Sequence, residues 1–507
     1  MPKPIRFIAT FLFTIVLAVA GLLQPPAGLS RQNPQATTSS ARNAALIAAT
    51  SDVLKETSEI RQLAILRPVQ SSTQSRTEIE RMLIKNLDEE TTPAQMHAGE
   101  VTLKRLGLAP PDFQYRALML RVLTEQVAGY YDPKTGEFHL ADWIDLDGQR
   151  PVMAHELTHA LQDQHFNLRR FEHWPKGDSD AELATHALIE GDATLAMALY
   201  VANNPLRALA FLKSMGATGM ASPELDKAPR ALRETLLFTY QEGMNWTRNL
   251  YKQGGWERVS KAFTELPQST EQIIHPDKYY AHEAPVKVTL PDITSLLNNS
   301  GRIAMRSVPP ALVAGSNSQS VVAGERFAGS ADGPSALSAQ REQFIGASRS
   351  PERGRSVPPA SKGGSKTQAG WKRLDYDVEG EWGFYLILDE FLKAPAESRR
   401  AAAGWGGDRF AVYEGPKGEV LFASLSIWDT ENDAREFFDA YVKRTRLRYP
   451  AVTFQSPGVD AQSSQVSQRI STPEGAIVIE LRGSRVIILE GVPERMDSRL
   501  LTAAIWR

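Results

Sequence analysis

The run Met153-Ala154-His155-Glu156-Leu157-Thr158-His159-Ala160-Leu161-Gln162-Asp163 contains the pattern H-E-x-x-H. No other feature of the chain restricts its fold so sharply. On a helix, residues four apart share a face, so the imidazoles of His155 and His159 can grip one metal ion. Glu156 lies beside that face and can reach a water on the ion without being a ligand. Two nitrogen ligands, an open position and a carboxylate base are what a metal-assisted hydrolase needs. Val152, Met153, Leu157, Ala160 and Leu161 surround the polar residues with good helix packers, which predicts a buried helix. Buried His and Glu need partners, and two isolated helix histidines with a surface glutamate would leave them without any.

A third ligand is sought downstream. Residues 180–199 read as one Ala- and Leu-rich helix on which Glu182, His186 and Glu190 recur every four residues. A carboxylate among Ala187, Leu188, Ile189, Ala193 and Leu195 would be costly to bury unpaired, whereas a divalent cation compensates it. Gly191 weakens the helix but permits close approach of another backbone. Glu190 is the favoured ligand. Glu182 and His186 stay open, because spacing alone does not separate residues on one face. Asp192 and Asp163 are candidates to accept the second ring N–H of the histidines, or are solvated helix carboxylates.

A helix with His155-Glu156-Leu157-Thr158-His159 followed by one with Glu190-Gly191-Asp192-Ala193 resembles the gluzincin, thermolysin-like, zinc metallopeptidases. That resemblance implies His155, His159 and Glu190 as ligands of one Zn2+ per chain and Glu156 as catalytic base. The chain departs from thermolysin in its longer gap between His159 and Glu190, and in having Thr194 where an acidic residue would follow Glu190. Residues 126–135, 155–166 and 269–276 also look like signatures of a poorly characterised family of secreted bacterial metallopeptidases, over roughly residues 50 to 290. The implied class is α+β: a mostly helical zincin-type catalytic domain with a small hairpin, followed by a small C-terminal α+β module.

Composition and local patterns supply the rest. The formal net charge of -2 gives no general reason to expect nucleic acid as a partner. The chain has no cysteine, which excludes disulfides, thiolate catalysis and cysteine metal sites. Lys3 and Arg6 precede an apolar run from Phe7 to Leu23 that contains Ala18-Val19-Ala20, so residues 1–20 read as a secretory signal or an uncleaved anchor. Export to the periplasm or the exterior is expected, with no further membrane span.

Residues 21–41 read as a flexible leader and 42–110 as a helical region broken near Pro68 and Pro93. Residues 111–297 form the expected catalytic domain. Within it, Tyr130 and Tyr131 lead into the turn Asp132-Pro133-Lys134-Thr135-Gly136 of a hairpin, a candidate substrate rim or a structural sheet edge. Residues 298–368 are rich in Ser, Gly, Ala, Pro and Arg and read as a disordered linker. Residues 369–507 form the C-terminal module, with a helix near 382–392, a strand at 420–428, a helix at 432–446, a hairpin at 476–491 and a last helix.

A peptidase of this kind gains from a neutral donor facing the developing oxyanion. His275 is the first candidate by position, with a packing or capping role as its alternative, and Tyr240 is another, with Tyr279 and Tyr280 nearby. The expected activity is zinc-dependent hydrolysis of peptide bonds in a protein or peptide substrate. An endopeptidase is favoured, since no acidic motif for gripping a substrate N-terminus is evident. A zinc amidase acting on cell-wall material and a non-catalytic envelope protein with a structural zinc are the alternatives.

Overall fold

The computed structural model describes residues 35–143, 146, 148–171, 177–209, 223–299, 370–452, 458–460 and 465–507. The expected signal and nearly all of the expected linker lie outside them. In chain order the N-terminal part comprises α1 (Gln35–Arg61), β1 (Gln70–Gln74), α2 (Arg76–Glu90), α3 (Pro93–Leu106), α4 (Tyr115–Gln126), β2 (Gly129–Asp132), β3 (Glu137–Ala141), α5 (Arg150–Phe166) and α6 (Ser179–Ala202). A short α7 (Pro223–Asp226), the long α8 (Arg230–Ala262), α9 (Thr270–Ile274) and α10 (Pro276–Tyr280) complete it. The fold is α+β, as expected.

Local chemistry sets several of these boundaries. Ser75 with Glu78, and Thr92 with Gln95, form capping boxes that start α2 and α3. Gly107, at φ +74°, ends α3 in the left-handed conformation glycine tolerates. Pro151 sits in the first turn of α5, where its missing N–H costs nothing.

Two expectations for the N-terminal part are corrected. The leader predicted over 21–41 is already helical from Gln35, so α1 reaches back into it. Gln70–Gln74 is a strand that hydrophobic patterning misses, because Gln-Ser-Ser-Thr-Gln carries no apolar alternation. It pairs in parallel with β3, and β2 pairs antiparallel with β3 on the other side, giving the order β1-β3-β2. β2 is therefore an edge strand, and it runs beside α5.

The C-terminal module contains β4 (Lys372–Asp377), α11 (Gly380–Leu392), α12 (Pro395–Ala402), β5 (Trp405–Glu414), β6 (Val420–Trp428), α13 (Glu431–Arg448), β7 (Gly458–Asp460), β8 (Gln465–Thr472), β9 (Gly475–Arg482), β10 (Arg485–Val492) and α14 (Ser498–Ile505). The described strands form an antiparallel sheet in the order β4-β5-β6-β10-β9-β8-β7. The predicted helices, strand and hairpin fall on α11, β6, α13, β9–β10 and α14, whereas β4, β5, β8 and α12 have no counterpart in the sequence reading. Alternation splits β5 between two cores. Phe410 and Val412 face the helices, while Ala411 and Tyr413 pack with Val288, Leu290, Ile293 and Leu297.

That packing bears on where the domains divide. The segment through Leu297, expected to close the catalytic domain, covers one face of the C-terminal sheet. On the other face one continuous core runs from Ile79 and Leu183 through Phe238 to Trp382, Phe437 and Ile488. Asn298 and Trp371, at the two ends of the intervening segment, are joined by the Trp371 N–H donating to Asn298 Oδ1 at 2.7 Å.

Buried polar contacts cross the junction at the start of α6. The Ser179 N–H donates to Asp377 Oδ1 at 2.8 Å, and the Ser179 hydroxyl donates to Asp377 Oδ2. Asp180 accepts from the Thr270 hydroxyl at 2.5 Å and the Thr270 N–H at 3.1 Å. Thr270 Oγ1 in turn accepts the Trp382 N–H at 3.2 Å. Arg444 and Glu490, both fully buried, pair at 2.5 Å, and Arg444 also donates to the Leu106 carbonyl.

Two predictions follow from this junction. A chain cleaved at a protease site engineered between residues 300 and 369 should yield two fragments that co-elute in size-exclusion chromatography; independent elution would contradict the shared core. Burial raises the Asp377 carboxyl to about 6, against the hydrogen bonds from Ser179 and Val378. A carboxyl raised on folding contributes stability that is full below its unfolded pKa, about 4, and lost as pH rises through about 6. Asp377→Asn keeps acceptor and shape, so it should reduce the fall in urea midpoint between pH 4.5 and 7.5; an unchanged fall would show that Asp377 does not titrate there.

Candidate metal centre

The site forms where α5, α6 and α8 meet. Every residue of α5 from Pro151 to Asp163, and of α6 from Ser179 to Ala193, is buried. α6 begins at Asp178, whose side chain accepts the Ala181 N–H. α6 and α8 come unusually close because glycines face each other. A Cβ on Gly191 would lie 2.2 Å from the backbone C and O of Gly243, and one on Gly243 would lie 2.2 Å from the Ala187 carbonyl. Gly191 thus permits the close approach expected of it.

His155, His159 and Glu190 are brought together with at most 2% of each exposed. His155 Nε2 lies 3.1 Å from His159 Nε2 and 3.1 Å from Glu190 Oε2, and His159 Nε2 lies 3.6 Å from the same oxygen. A tetrahedral ion with bonds of about 2.0–2.1 Å separates its ligand atoms by about 3.3 Å. The spacing and the donor set, two imidazoles and a carboxylate, fit a divalent metal ion. Glu182 and His186 are buried on the same helix but are not part of this three-donor group.

The titration behaviour follows from the crowding. Burial opposes a charge on His159, but the Glu190 carboxylate outweighs it and lifts the imidazole to about 9. Burial alone would raise Glu190; the charge of His159 and the hydrogen bonds of both histidines bring it down to about 2. Burial lowers His155, with its hydrogen bond to the Glu190 carboxylate opposing. Burial also lowers His186, to about 4, against the pull of Glu190.

Glu156 is fully buried beside the cluster and outside the donor set. Its Oε2 accepts the Tyr131 N–H at 2.8 Å, from the outer edge of β2. The Tyr131 hydroxyl donates to Asp163 Oδ2 at 2.9 Å, one helical stretch further along α5. Backbone and side chain of one residue therefore fix β2 against the helix that carries Glu156. Asp163 also accepts from Arg67 at 2.7 Å and from the Leu168 N–H. It orients Tyr131 and does not orient an imidazole.

Tyr240, from α8, reaches the cluster. Its ring centroid lies 6.2 Å from that of His155, and its hydroxyl bonds Glu190. Burial, then the charges of Glu190 and Glu156, push the phenol well above its ordinary pKa, so it is a neutral donor. His275 takes the packing alternative. It lies between α9 and α10 with Nε2 2.9 Å from Glu381 Oε1, so its ring serves the junction with α11. The hydroxyl of Tyr279 donates to the Glu265 carbonyl and that of Tyr280 to Asn249 Oδ1. Helix position, which favours His275 in the sequence, does not tell which helix ends are taken up by the C-terminal module.

Sequence reasoning misses Gln162 and Arg61. Gln162 Oε1 lies 2.8 Å from His159 Nδ1, and Gln162 Nε2 donates to Asp192 Oδ2 at 2.9 Å. Asp192 is held by Arg61 Nε at 2.6 Å. The position of Gln162 three residues after His159 on one helix face is a usable signal. Arg61 offers none, since it meets Asp192 across 131 residues of chain. A second acidic group, Glu271, Glu283 and Asp429, surrounds Lys278 Nζ at 2.6–2.7 Å, and the ammonium fills the position a cation would take.

Residues 367–501 match a family described as a domain of unknown function (DUF8575). No curated protein and no solved structure matches the chain.

The glycine contact gives a test of the site geometry. Gly191→Ala must push α8 away from α6, and overpacking of this kind costs about 1–3 kcal/mol. The melting temperature should fall, and the contact of Tyr240 with Glu190 should weaken, since the two sit on the separated helices. Unchanged melting would mean that the helices are not this close.

Proposed function

We propose that the chain is a zinc-dependent peptidase, exported and acting as an endopeptidase on protein or peptide substrates. One Zn2+ would be held by His155, His159 and Glu190. The observation that carries this reading is the pairing of a buried three-donor group with a carboxylate, Glu156, held beside it. A structural zinc site is closed by four protein ligands, whereas a catalytic one keeps a position open. Among the described residues this group contains three. The resemblance of the two helices to the gluzincin pattern points the same way. Among the described residues no helix is long and apolar enough to cross a membrane.

Zinc at this position would polarise a substrate carbonyl and lower the pKa of water at its open position toward about 7. Glu156 would take the proton of the attacking water and then deliver it to the leaving amine. The Tyr131 N–H holds one Glu156 oxygen at 2.8 Å, which fixes the carboxylate in place. Tyr240, kept protonated by burial and then by the charges of Glu190 and Glu156, would turn its one O–H from Glu190 to the oxyanion.

Glu156→Gln should retain one zinc per chain and lower peptide turnover by about 10²–10⁴-fold, the usual worth of general-base catalysis. Tyr240→Phe should retain zinc and reduce kcat by about 10²–10³-fold. Zinc content and cleavage of casein, before and after chelation, check both. Loss of zinc in Glu156→Gln would make Glu156 a ligand, and cleavage undiminished by chelation would remove the zinc reading.

A further inference from the structure

The network behind His159 leads from the ligand to a charge on a distant helix. Arg61 and Asp192 form an ion pair at 2.6 Å with both side chains fully buried. Arg61 Nη1 also donates to Ser260 Oγ at 3.1 Å, and its guanidinium lies 4.5 Å from the centre of the Trp256 ring. Arg61 Nε–H donates to Asp192 Oδ1, so Asp192 enters the network as an acceptor. The Gln162 amide nitrogen donates to Asp192 Oδ2 at 2.9 Å and to the Ile189 carbonyl at 3.0 Å. Both partners are acceptors, so the amide cannot be turned over: its oxygen must face His159. That oxygen accepts only, which requires the proton on His159 Nδ1 and leaves Nε2 directed at Glu190 and His155.

We infer that Arg61, Asp192 and Gln162 act as a positioning relay that locks the tautomer and ring orientation of His159 for metal binding. The relay assigns a role to α1, whose last residue is Arg61. His155 has no equivalent: its Nδ1 is buried without a hydrogen-bond partner among the described residues. His159 is therefore the ligand whose geometry the protein fixes, and His155 is held by packing, against the Tyr240 ring among others. The inference rests on the zinc reading above.

Zinc affinity of the purified full chain, read by competition with a chelator, tests it, with the melting temperature of the metal-free protein measured alongside. Gln162→Met keeps length but removes both hydrogen-bonding groups, and should weaken zinc binding by about 10–100-fold, the usual effect of losing a partner of a ligating histidine. Gln162→Glu alone opposes two carboxylates and should weaken binding as well. Combined with Asp192→Asn, it reverses the pair: the new amide donates to the new carboxylate, total charge is unchanged, and an acceptor still faces His159. That double variant loses the donor to the Ile189 carbonyl, so it should bind zinc more tightly than Gln162→Glu while staying below the wild-type value. A role limited to packing would lower the melting temperature of Gln162→Met and leave zinc affinity unmoved, which overturns the relay. So does a double variant that binds as weakly as Gln162→Glu, and this comparison decides the matter even if Gln162→Met does not fold. A wild-type chain that binds no zinc overturns the relay and the peptidase reading together; tight binding unaffected by the variants overturns the relay alone.

Discussion

Glu190 stands at the centre of a problem in desolvation. It is a carboxylate on a helix of Ala, Leu and Ile, and leaving it unpaired there would cost several kcal/mol. The two imidazoles of α5 and the phenol of Tyr240 are what meet it. Most of the N-terminal architecture follows from keeping these groups in register. α5 supplies two nitrogens from one face. The facing glycines of α6 and α8 let Tyr240 come close enough to bond a residue on the neighbouring helix. Without a metal ion, the shared charge of His159 and Glu190 stabilises the cluster; a divalent ion would replace the proton between them.

The C-terminal module takes part in that register at the other end of α6. Asp377 caps the Ser179 N–H, and Asp180 fills the space beside Gly380, where any Cβ would come within 1.8 Å of its Oδ1. Gly380 is at φ +72°, which favours glycine on conformational grounds too. The helix that carries Glu190 therefore begins inside the interface with the sheet module. Residues matched to the domain of unknown function are, in this chain, part of the wall behind the helix that carries Glu190.

How much was legible in the sequence depends on whether a contact was local. The four-residue period of His155 and His159, the apolar surroundings of Glu190 and the hairpin turn at Asp132-Pro133 are local patterns, and the structure places each on the expected element. β1 escaped because its residues are polar and its pairing is parallel, with a partner more than sixty residues away. β4, β5 and β8 escaped in part because their strands mix charged residues with apolar ones, as in Lys372-Arg373-Leu374-Asp375 and Trp405-Gly406-Gly407-Asp408. Asp375, Asp377 and Asp408 are buried all the same. A charged residue in a sequence argues for exposure unless its partners are known: Asp377 meets Ser179 from the N-terminal half, while Asp408 accepts the Glu379 and Gly380 N–H groups and the Trp405 indole N–H inside the module.

The division between Glu156 and its histidine neighbours shows how a motif of five residues acquires separate surroundings. His155 and Glu156 are adjacent on α5, so helix geometry turns their side chains about 100° apart. The histidine side meets α6, and the glutamate side meets β2. On that side Tyr131 presents an N–H that β3 does not use, because β2 is an edge strand. An unpaired edge is usually a liability that a fold must cover. Here the unpaired donor is what fixes the carboxylate, and the Tyr131 hydroxyl, bonded to Asp163 on the same helix, prevents the strand from sliding past it. The separation of Glu156 from the histidines is therefore a property of the strand beside the helix as much as of the helix.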